Sequence, residues 1–294
     1  MRTVIVLGLI VLSTAAVSAC GGSAPASAGL DVVAAENVYG NIASQIGGSH
    51  VSVTSILTDP NADPHLFEPD TSNGLAVARA DVAIQNGAGY DPFMTKLENA
   101  APSSKRTVVS VADVLGVHGE DANPHFWYDV PQLNRIAGAI AAALEQADPG
   151  HAAAYRTGLR HFEGSLAPLR AEVARIRSRY GGAPVAYTEP VPGYLVAAAG
   201  LRNLSPAAFT QAIQNGSEPT PAAVSEMNAL VAQHRIRVLL YNSQTVSPIT
   251  EQLVAAARRA GIGVVPVSET LPPRLTFQQW QLRQTRALAA ALAK

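Results

Sequence analysis

Two short stretches of the sequence share one arrangement of proline, histidine and an apolar residue. In residues 63–69 and 123–127, a histidine directly follows a proline and directly precedes Leu or Phe. Proline restricts its own φ and biases the preceding residue toward extended backbone, so His65 and His125 should lie on stiff loops. A neutral imidazole aimed in a fixed direction is a good ligand for zinc, iron or manganese. One such histidine alone is more simply a packing residue, but the repeat favours a metal site.

Two acidic residues in the second half of the chain follow strand-like apolar stretches. Glu189 comes directly after residues 184–188, and Glu269 comes one residue after the stretch 263–267. An acidic residue at a strand end is usually a cap or an exposed loop residue. These two, however, follow strands in the second half of the chain, and a cleft between the two halves could bring them to the paired histidine loops. The candidate metal ligands are therefore His65, His125, Glu189 and Glu269. Four protein ligands leave no open position for an activated water, which favours transport or storage over catalysis.

Strands and helices alternate through the first half of the chain and predict one α/β lobe. Apolar runs predict strands and amphipathic runs predict helices. The predicted strands are 30–34, 51–57, 81–85 and 107–109, and the predicted helices are 37–46, 75–80, 92–99 and 132–146. Such alternation with short connections favours parallel strands with helices on both faces. Ligands bind at the carboxyl ends of strands in sheets of this kind, and both histidine loops follow the carboxyl end of a predicted strand.

A long helical stretch separates this lobe from a second one. Residues 151–180 keep apolar residues at three- and four-residue spacing, which predicts a helix with one buried face. A helix of about 30 residues reaches about 45 Å, so it would act as a strut, and Pro168 should kink or loosen it. The strand and helix alternation restarts after Gly182. We therefore expect a first lobe over 30–148, a linking helix over 149–180 and a second α/β lobe over 181–294.

The first residues predict export and lipidation. Arg2 precedes an apolar run from Val4 to Val17, which is too short to span a bilayer comfortably and ends in small residues, as a secretory signal does. The run closes on Val-Ser-Ala-Cys, which resembles a bacterial lipoprotein signal in which Cys20 becomes the lipidated first residue. We expect a signal peptide over 1–19, a flexible lipidated tether over 20–29 and an anchor on the extracytoplasmic face of the membrane. An ordinary cleaved signal with a chance cysteine is the alternative.

The composition narrows the class of protein. Cys20 is the only cysteine among 294 residues, so the chain has no intrachain disulfide, and lipidation explains an otherwise unpaired thiol. The formal net charge of −1 is not basic enough to suggest a nucleic-acid partner. Hydrophobic residues make up 48% of the chain, and no second long apolar run follows the first. We expect a globular monomer beyond the signal.

Taken together, these motifs resemble a family. The two histidine loops, the long helix from about residue 150, the run Tyr187-Thr188-Glu189 and the run 267–270 resemble the metal-binding solute-binding proteins of zinc and manganese ABC importers, the bacterial solute-binding protein family 9 type. The resemblance covers essentially the whole mature chain. It implies two α/β lobes with parallel sheets flanked by helices, joined by one long rigid helix. It also implies one Zn²⁺ or Mn²⁺ ion held between the lobes as cargo, no enzymatic activity, and delivery to an ABC transporter permease.

Two positions depart from the zinc-binding pattern of that family. Its zinc-preferring members often have a third histidine where this chain has Glu189, and a long His-rich and acidic loop where it has only His118, Glu120 and Asp121. The family's fourth position is commonly Asp, but here it is Glu269. Two imidazoles with two carboxylates form a harder set than three imidazoles with one, which favours Mn²⁺, whereas the intrinsic affinity order favours Zn²⁺. The two arguments oppose each other.

Two other functions are alternatives to this interpretation. A secreted metal-dependent hydrolase needs an open metal position and a general base, and the chain has no His-Glu-x-x-His motif. A surface adhesin-like interaction protein is the second alternative. We interpret His151 and His161 as solvated or partly packed residues, and His118 as a solvated loop residue. Asn242 and Ser243 end another strand, where they should support the site without binding metal.

Overall fold

The computed structural model describes residues 29–61, 63–119 and 122–294. The predicted signal peptide (1–19), the lipidation site Cys20 and almost all of the tether (20–29) lie outside the described residues, so these predictions are not tested by the structure. Within the described part of the chain, no helix is both long enough and apolar enough to cross a membrane.

The first lobe is a four-stranded parallel sheet flanked by helices. Its strands are β1 (Leu30–Glu36), β2 (Val51–Leu57), β3 (Val82–Gln85) and β4 (Thr107–Ser110). Its helices are α1 (Asn37–Gly47), α2 (Thr71–Arg79), α3 (Pro92–Ala100), α4 (Val111–Leu115) and α5 (Leu133–Ala147). The strand order is β2-β1-β3-β4, and all neighbours are parallel. Helix α4 was not predicted, because five residues are too few to show a helical period.

The first lobe is followed by two helices that take the place of the predicted linking helix. They are α6 (Ala152–Ser165) and α7 (Ala167–Tyr180), and they meet at Leu166. Together they form a long bent linking helix, and the kink expected near Pro168 is confirmed. Pro168 lies in the first turn of α7, where its missing N–H costs nothing, whereas inside a continuous helix its ring would clash with the carbonyl of Gly164. Helix α6 packs on α1 and α5, and α7 packs on the last helix of the second lobe.

The second lobe repeats the topology of the first. Its strands are β5 (Pro184–Tyr187), β6 (Arg202–Asn203), β7 (Val238–Asn242) and β8 (Gly263–Val267). Its helices are α8 (Gly193–Ala198), α9 (Ala207–Gln214), α10 (Pro221–Ala232), α11 (Pro248–Arg259) and α12 (Phe277–Leu292). The parallel order β6-β5-β7-β8 matches that of the first sheet. Strand β6 has only two residues, both exposed, so it carries no apolar pattern and escaped prediction along with α9.

In both sheets, the order in which strands are added reverses next to the first strand of the sheet. In the first sheet the chain moves out to β2 and then crosses back to β3, and in the second it moves out to β6 and then crosses to β7. A crevice opens outside the carboxyl ends of the strands at such a switch point, and ligands bind there. The predicted fold class, two α/β lobes with parallel sheets flanked by helices, is confirmed.

A row of amides on α1 joins the two lobes. Asn37, Asn41 and Gln45 recur at four-residue spacing, so they lie on one face of the helix. The Asn37 side chain donates to the Leu271 carbonyl at 2.9 Å and accepts from the Leu271 N–H at 2.8 Å. Asn41 accepts from the backbone of Phe277 at 2.9 Å, and Gln45 exchanges hydrogen bonds with Gln278. These bonds hold the segment 271–278 of the second lobe against the first, and we call them the α1 amide row.

Candidate metal centre

His65 lies in a short 3₁₀ turn that follows β2. The turn spans Pro64–Leu66 and is capped by Asp63, whose carboxylate accepts from the His65 N–H at 2.9 Å. Pro64 is buried, which holds the turn against the lobe. The imidazole is 18% exposed. The stiff loop expected from the Pro-His pattern is therefore present, and it aims His65 toward the second lobe.

His125 is held by the asparagine two residues before it. Its Nδ1 lies 2.7 Å from Oδ1 of Asn123, which also accepts from the His125 N–H at 3.1 Å. Because an amide oxygen only accepts, Nδ1 carries a proton, which leaves Nε2 as the ring nitrogen that can bind a metal. The Asn86 amide at the end of β3 donates to the Pro124 carbonyl at 2.9 Å. These bonds fix the ring in the tautomer that a metal ligand requires.

Glu189 and Glu269 follow two strands of the second sheet, and their carboxylates lie close together. Thr188 extends β5 by donating its N–H to the Leu240 carbonyl at 3.0 Å, and Glu189 follows it into the gap between the lobes. The Glu269 N–H donates to the Gln244 side chain at 2.6 Å. Both carboxylates are fully buried. Glu189 follows β5 and Glu269 follows β8, on either side of β7, so both carboxylates lie at the same edge of the sheet.

The four side chains that the sequence singled out meet between the lobes. One ligand atom from each of His65, His125, Glu189 and Glu269 lies within 4.8 Å of the other three. Nε2 of His65 is 3.1 Å from Oε1 of Glu189 and 3.7 Å from Oε2 of Glu269. Nε2 of His125 is 3.2 Å from the same oxygen of Glu269. Two nitrogens and two oxygens therefore face a common point, contributed equally by the two lobes.

Comparison with known proteins agrees with this geometry. Residues 32–291 match the family model described as ZnuA, the periplasmic component A of the zinc-uptake complex. The chain belongs to the ZnuA family. A putative metal-binding protein of Treponema pallidum (strain Nichols) is 25% identical over 252 residues, which cover 78% of this chain and 77% of the relative. The manganese ABC transporter substrate-binding lipoprotein scaA of Streptococcus gordonii is 25% identical over 258 residues, 81% of each protein.

The fold is also that of a solved structure. The periplasmic zinc-binding protein TroA from Treponema pallidum superposes with a TM-score of 0.76 at 21% sequence identity, covering 90% of this chain and 99% of that one. The family resemblance seen in the sequence is confirmed. This ZnuA-family protein is a solute-binding protein of the zinc and manganese type and not an enzyme.

A proton on His65 offsets part of the negative charge at the centre of this ZnuA-family protein. Burial by itself would lower the pKa of His65, but its hydrogen bond to Glu189 and the negative charge of Glu269 outweigh burial and raise the pKa to about 9. Burial favours the neutral form of Glu269, yet His125, His65 and the phenol of Tyr90 lower its pKa to about 2. The imidazolium of His65 thus places a positive charge directly against the two buried carboxylates.

Two polar residues complete the centre. The Asn242 amide donates to Oε2 of Glu189 at 2.7 Å and to Oε1 of Glu269 at 2.6 Å. The sequence indicated a supporting position for Asn242, and its contacts agree. The phenol of Tyr90 donates to Oε2 of Glu269 at 2.8 Å, and sequence reasoning missed it. Tyr90 could have been found from its position, because it follows the carboxyl end of β3 at the same sheet edge as His65.

Tyr90 is carried by a strained turn that a pair of buried acids holds in place. Gly87, Ala88 and Gly89 all have positive φ, which costs energy at an alanine. The Asp91 carboxylate accepts from the backbone N–H of Asn86 at 2.6 Å and of Gly87 at 2.8 Å. The neighbouring Glu36 is fully buried, and neither of its oxygens receives a hydrogen bond. Burial, followed by the negative charge of Asp91, raises the pKa of Glu36 well above its usual range.

The remaining predictions on histidines agree with the structure. His118 is largely exposed, with Asp113 3.8 Å away. His151 pairs with Asp148 at 2.6 Å and stacks on His50, so its contacts do not include the four side chains of the centre. His161 is exposed on α6. Glu120 and Asp121, which the sequence placed in the same loop as His118, lie outside the described residues.

Proposed function

We propose that this protein captures one divalent transition metal ion, Zn²⁺ or Mn²⁺, outside the cytoplasmic membrane and delivers it to the permease of an ABC importer. The ligands are Nε2 of His65, Nε2 of His125 and one carboxylate oxygen each of Glu189 and Glu269. The observation that supports this most strongly is the convergence of these four atoms from two lobes within 4.8 Å. Imidazole and carboxylate are the donors that both ions accept, and four protein donors suit cargo better than catalysis.

The ion would reach the centre along the side of His65. His65 is 18% exposed, whereas the other three side chains are fully buried. A cavity of about 340 Å³ lies beside the His65 turn, and its lining includes the carboxylates of Asp59, Asp63 and Glu68. Negative charge along such a cavity raises the local concentration of cations. Binding replaces the proton of His65 with the metal, so the buried carboxylates keep a positive partner in both states.

Delivery follows from the same arrangement. Each lobe supplies two of the four ligands, so a small rotation of one lobe against the other separates the histidines from the carboxylates and frees the ion. The permease would promote that rotation by binding both lobes. The lipid on Cys20, a residue outside the described part of the chain, would keep the protein at the membrane surface, and a monomer is sufficient for this role.

The experiment that tests the proposal measures metal stoichiometry and thermal stability together. Because the metal binds only the folded state, one equivalent of Zn²⁺ should raise the melting temperature, and His125→Ala should remove most of that rise. His161→Ala on the exposed face of α6 is the matched control and should keep the full rise. Equal losses in both variants, or wild-type protein that retains no metal after dialysis, would contradict the proposed site.

Transport itself needs a test in cells. A strain that lacks this chain should accumulate less radioactive zinc or manganese in chelator-treated medium. The wild-type chain should restore uptake, whereas His125→Ala should not, although it reaches the same level at the membrane. Restoration by both forms would show that uptake does not depend on this site.

A further inference from the structure

We infer that Asn242 restricts Glu189 and Glu269 to one metal-facing oxygen each, and that it thereby makes four-coordinate Zn²⁺ the preferred cargo over Mn²⁺. The inference rests on the proposed function, since it assigns the metal at that same site. It concerns the choice between Zn²⁺ and Mn²⁺, on which the hardness of the donors and the intrinsic affinity order give opposing answers.

The Asn242 amide is well fixed between the two carboxylates. Its backbone N–H donates to the Thr188 hydroxyl at 3.1 Å, which ties the end of β7 to β5. Its side-chain oxygen accepts from the Gln244 N–H at 3.1 Å, so the amide nitrogen must face the other way. That nitrogen contacts Oε2 of Glu189 at 2.7 Å and Oε1 of Glu269 at 2.6 Å. The amide nitrogen thus bridges the two carboxylates, and its third and longest contact is the Thr245 hydroxyl at 3.0 Å.

The oxygens that Asn242 holds are not the ones that face the histidines. Oε1 of Glu189 lies 3.1 Å from Nε2 of His65, and Oε2 of Glu269 lies 3.2 Å from Nε2 of His125. Each carboxylate therefore turns one oxygen to the common point and the other to Asn242. A carboxylate that binds a metal through both oxygens must place them at similar distances from the ion. That movement would pull the outer oxygen off the amide.

This arrangement suits one of the two candidate ions better. Zn²⁺ accepts a tetrahedral set of four N and O ligands, which is what two imidazoles and two single oxygens provide. Mn²⁺ is found in octahedral, oxygen-rich sites, so it would need further oxygens from the carboxylates or from water. Asn242 holds the outer oxygens, and it is itself only 2% exposed, which leaves little access for water on that side. The hydrogen bonds therefore select against the ion with the higher coordination number.

The test combines X-ray absorption with metal competition, on the full exported protein. Zinc-loaded wild type should show four N or O neighbours at about 2.0–2.2 Å. Asn242→Ala releases both outer oxygens, so its zinc should gain at least one more oxygen neighbour. In competition titrations, the ratio of Zn²⁺ to Mn²⁺ affinity should fall about tenfold or more in this variant, the scale on which outer hydrogen-bond partners act.

Thr245→Val is the matched control. It removes the third contact of the same amide, at 3.0 Å, and leaves both carboxylate contacts in place. It should keep the wild-type coordination number and the wild-type affinity ratio. A general loss of structure would lower the affinity for both metals and leave their ratio unchanged, so the ratio separates selection from damage.

Three results would overturn the inference. They are a carboxylate bound through both oxygens in zinc-loaded wild type, wild type that prefers Mn²⁺, and Asn242→Ala with an unchanged affinity ratio. If the variant does not fold, the absorption spectrum of wild type still decides between one-oxygen and two-oxygen binding. The proposed function fails differently, because in that case the wild type would bind neither ion.

Discussion

Each proposed ligand depends on a neighbour that orients it. Asp63 caps the turn of His65, Asn123 fixes the tautomer of His125, and Asn242 spans the two carboxylates. Partners of this kind set both the direction and the basicity of a metal ligand. The chemistry of the centre is therefore distributed over residues that never touch the metal.

The first prediction concerns pH. In the ligand-free protein, the pKa of His65 lies at about 9 instead of its ordinary 6.5. A raised histidine pKa contributes stability that is complete below pH 6.5 and is lost as the pH rises toward 9. Metal binding must displace the same proton, so affinity rises over the same range. We expect the increase in melting temperature on adding Zn²⁺ to grow steadily with pH across this window.

The control for this prediction is His65→Asn, which removes the titrating ring and keeps a polar side chain. Its ligand-free form should show a flatter stability profile over the same pH range. An unchanged profile would place the titrating proton on another group.

The second prediction concerns the acid pair beneath Tyr90. Glu36→Gln removes the ionisable group beside Asp91 and keeps a polar side chain of similar size, so its free energy of unfolding should stay within about 1 kcal/mol of wild type at pH 7. Glu36→Leu places an apolar side chain against the buried carboxylate of Asp91, and unfolding should become easier by about 1–3 kcal/mol. Urea denaturation of the two variants measures the difference. Equal stability of the two variants would mean that buried Asp91 does not depend on a polar side chain at position 36.

Among the elements, α1 has the widest influence on the centre. It lies in the first lobe, yet its amide row holds the segment of the second lobe that begins two residues after Glu269. The helix thus sets the position of one carboxylate relative to both histidines. Helix α6 packs on the first lobe and α7 packs on the second, so the linking helices also hold the two lobes in this arrangement.

The third prediction tests the amide row. Asn37→Ala removes both hydrogen bonds to Leu271, so unfolding should become easier by about 2 kcal/mol and the affinity for Zn²⁺ should fall. Calorimetry gives both quantities. Gln252→Ala, at an exposed amide on α11, should change neither. Wild-type affinity in Asn37→Ala would show that the position of Glu269 is set within its own lobe.

At the scale of the whole molecule, the proposed delivery to a permease requires the protein to stay at the membrane. The fourth prediction is that Cys20 carries lipid. Single acyl chains bind membranes marginally, whereas two or more hold a protein firmly. Cys20→Ala should therefore move the protein from the membrane pellet to the medium, or leave the signal uncleaved. Unchanged processing and an unchanged membrane-bound amount would contradict the lipid anchor.

The sequence by itself determined the two α/β lobes and four residues of the centre. The bounds of β2 and β8 were predicted as the structure has them, because both are short runs rich in valine and other β-branched residues, which favour strands. The histidine loops were visible for a similar reason, since proline constrains the backbone through its immediate neighbours. Elements that bury little, such as β6, gave no pattern to read.

Only the tertiary structure decided how the centre is held. Tyr90 donates to a carboxylate 179 positions along the chain, and Asn242 reaches two carboxylates that lie on either side of it in the sequence. Neither contact is encoded by local spacing, because both depend on the way that two sheets and two lobes pack together. The same packing buries Glu36 without a donor and turns one oxygen of each glutamate away from the histidines. Residue types therefore indicated the proposed donor atoms, whereas the packing of the lobes turns one oxygen of each glutamate toward the histidines and the other toward Asn242.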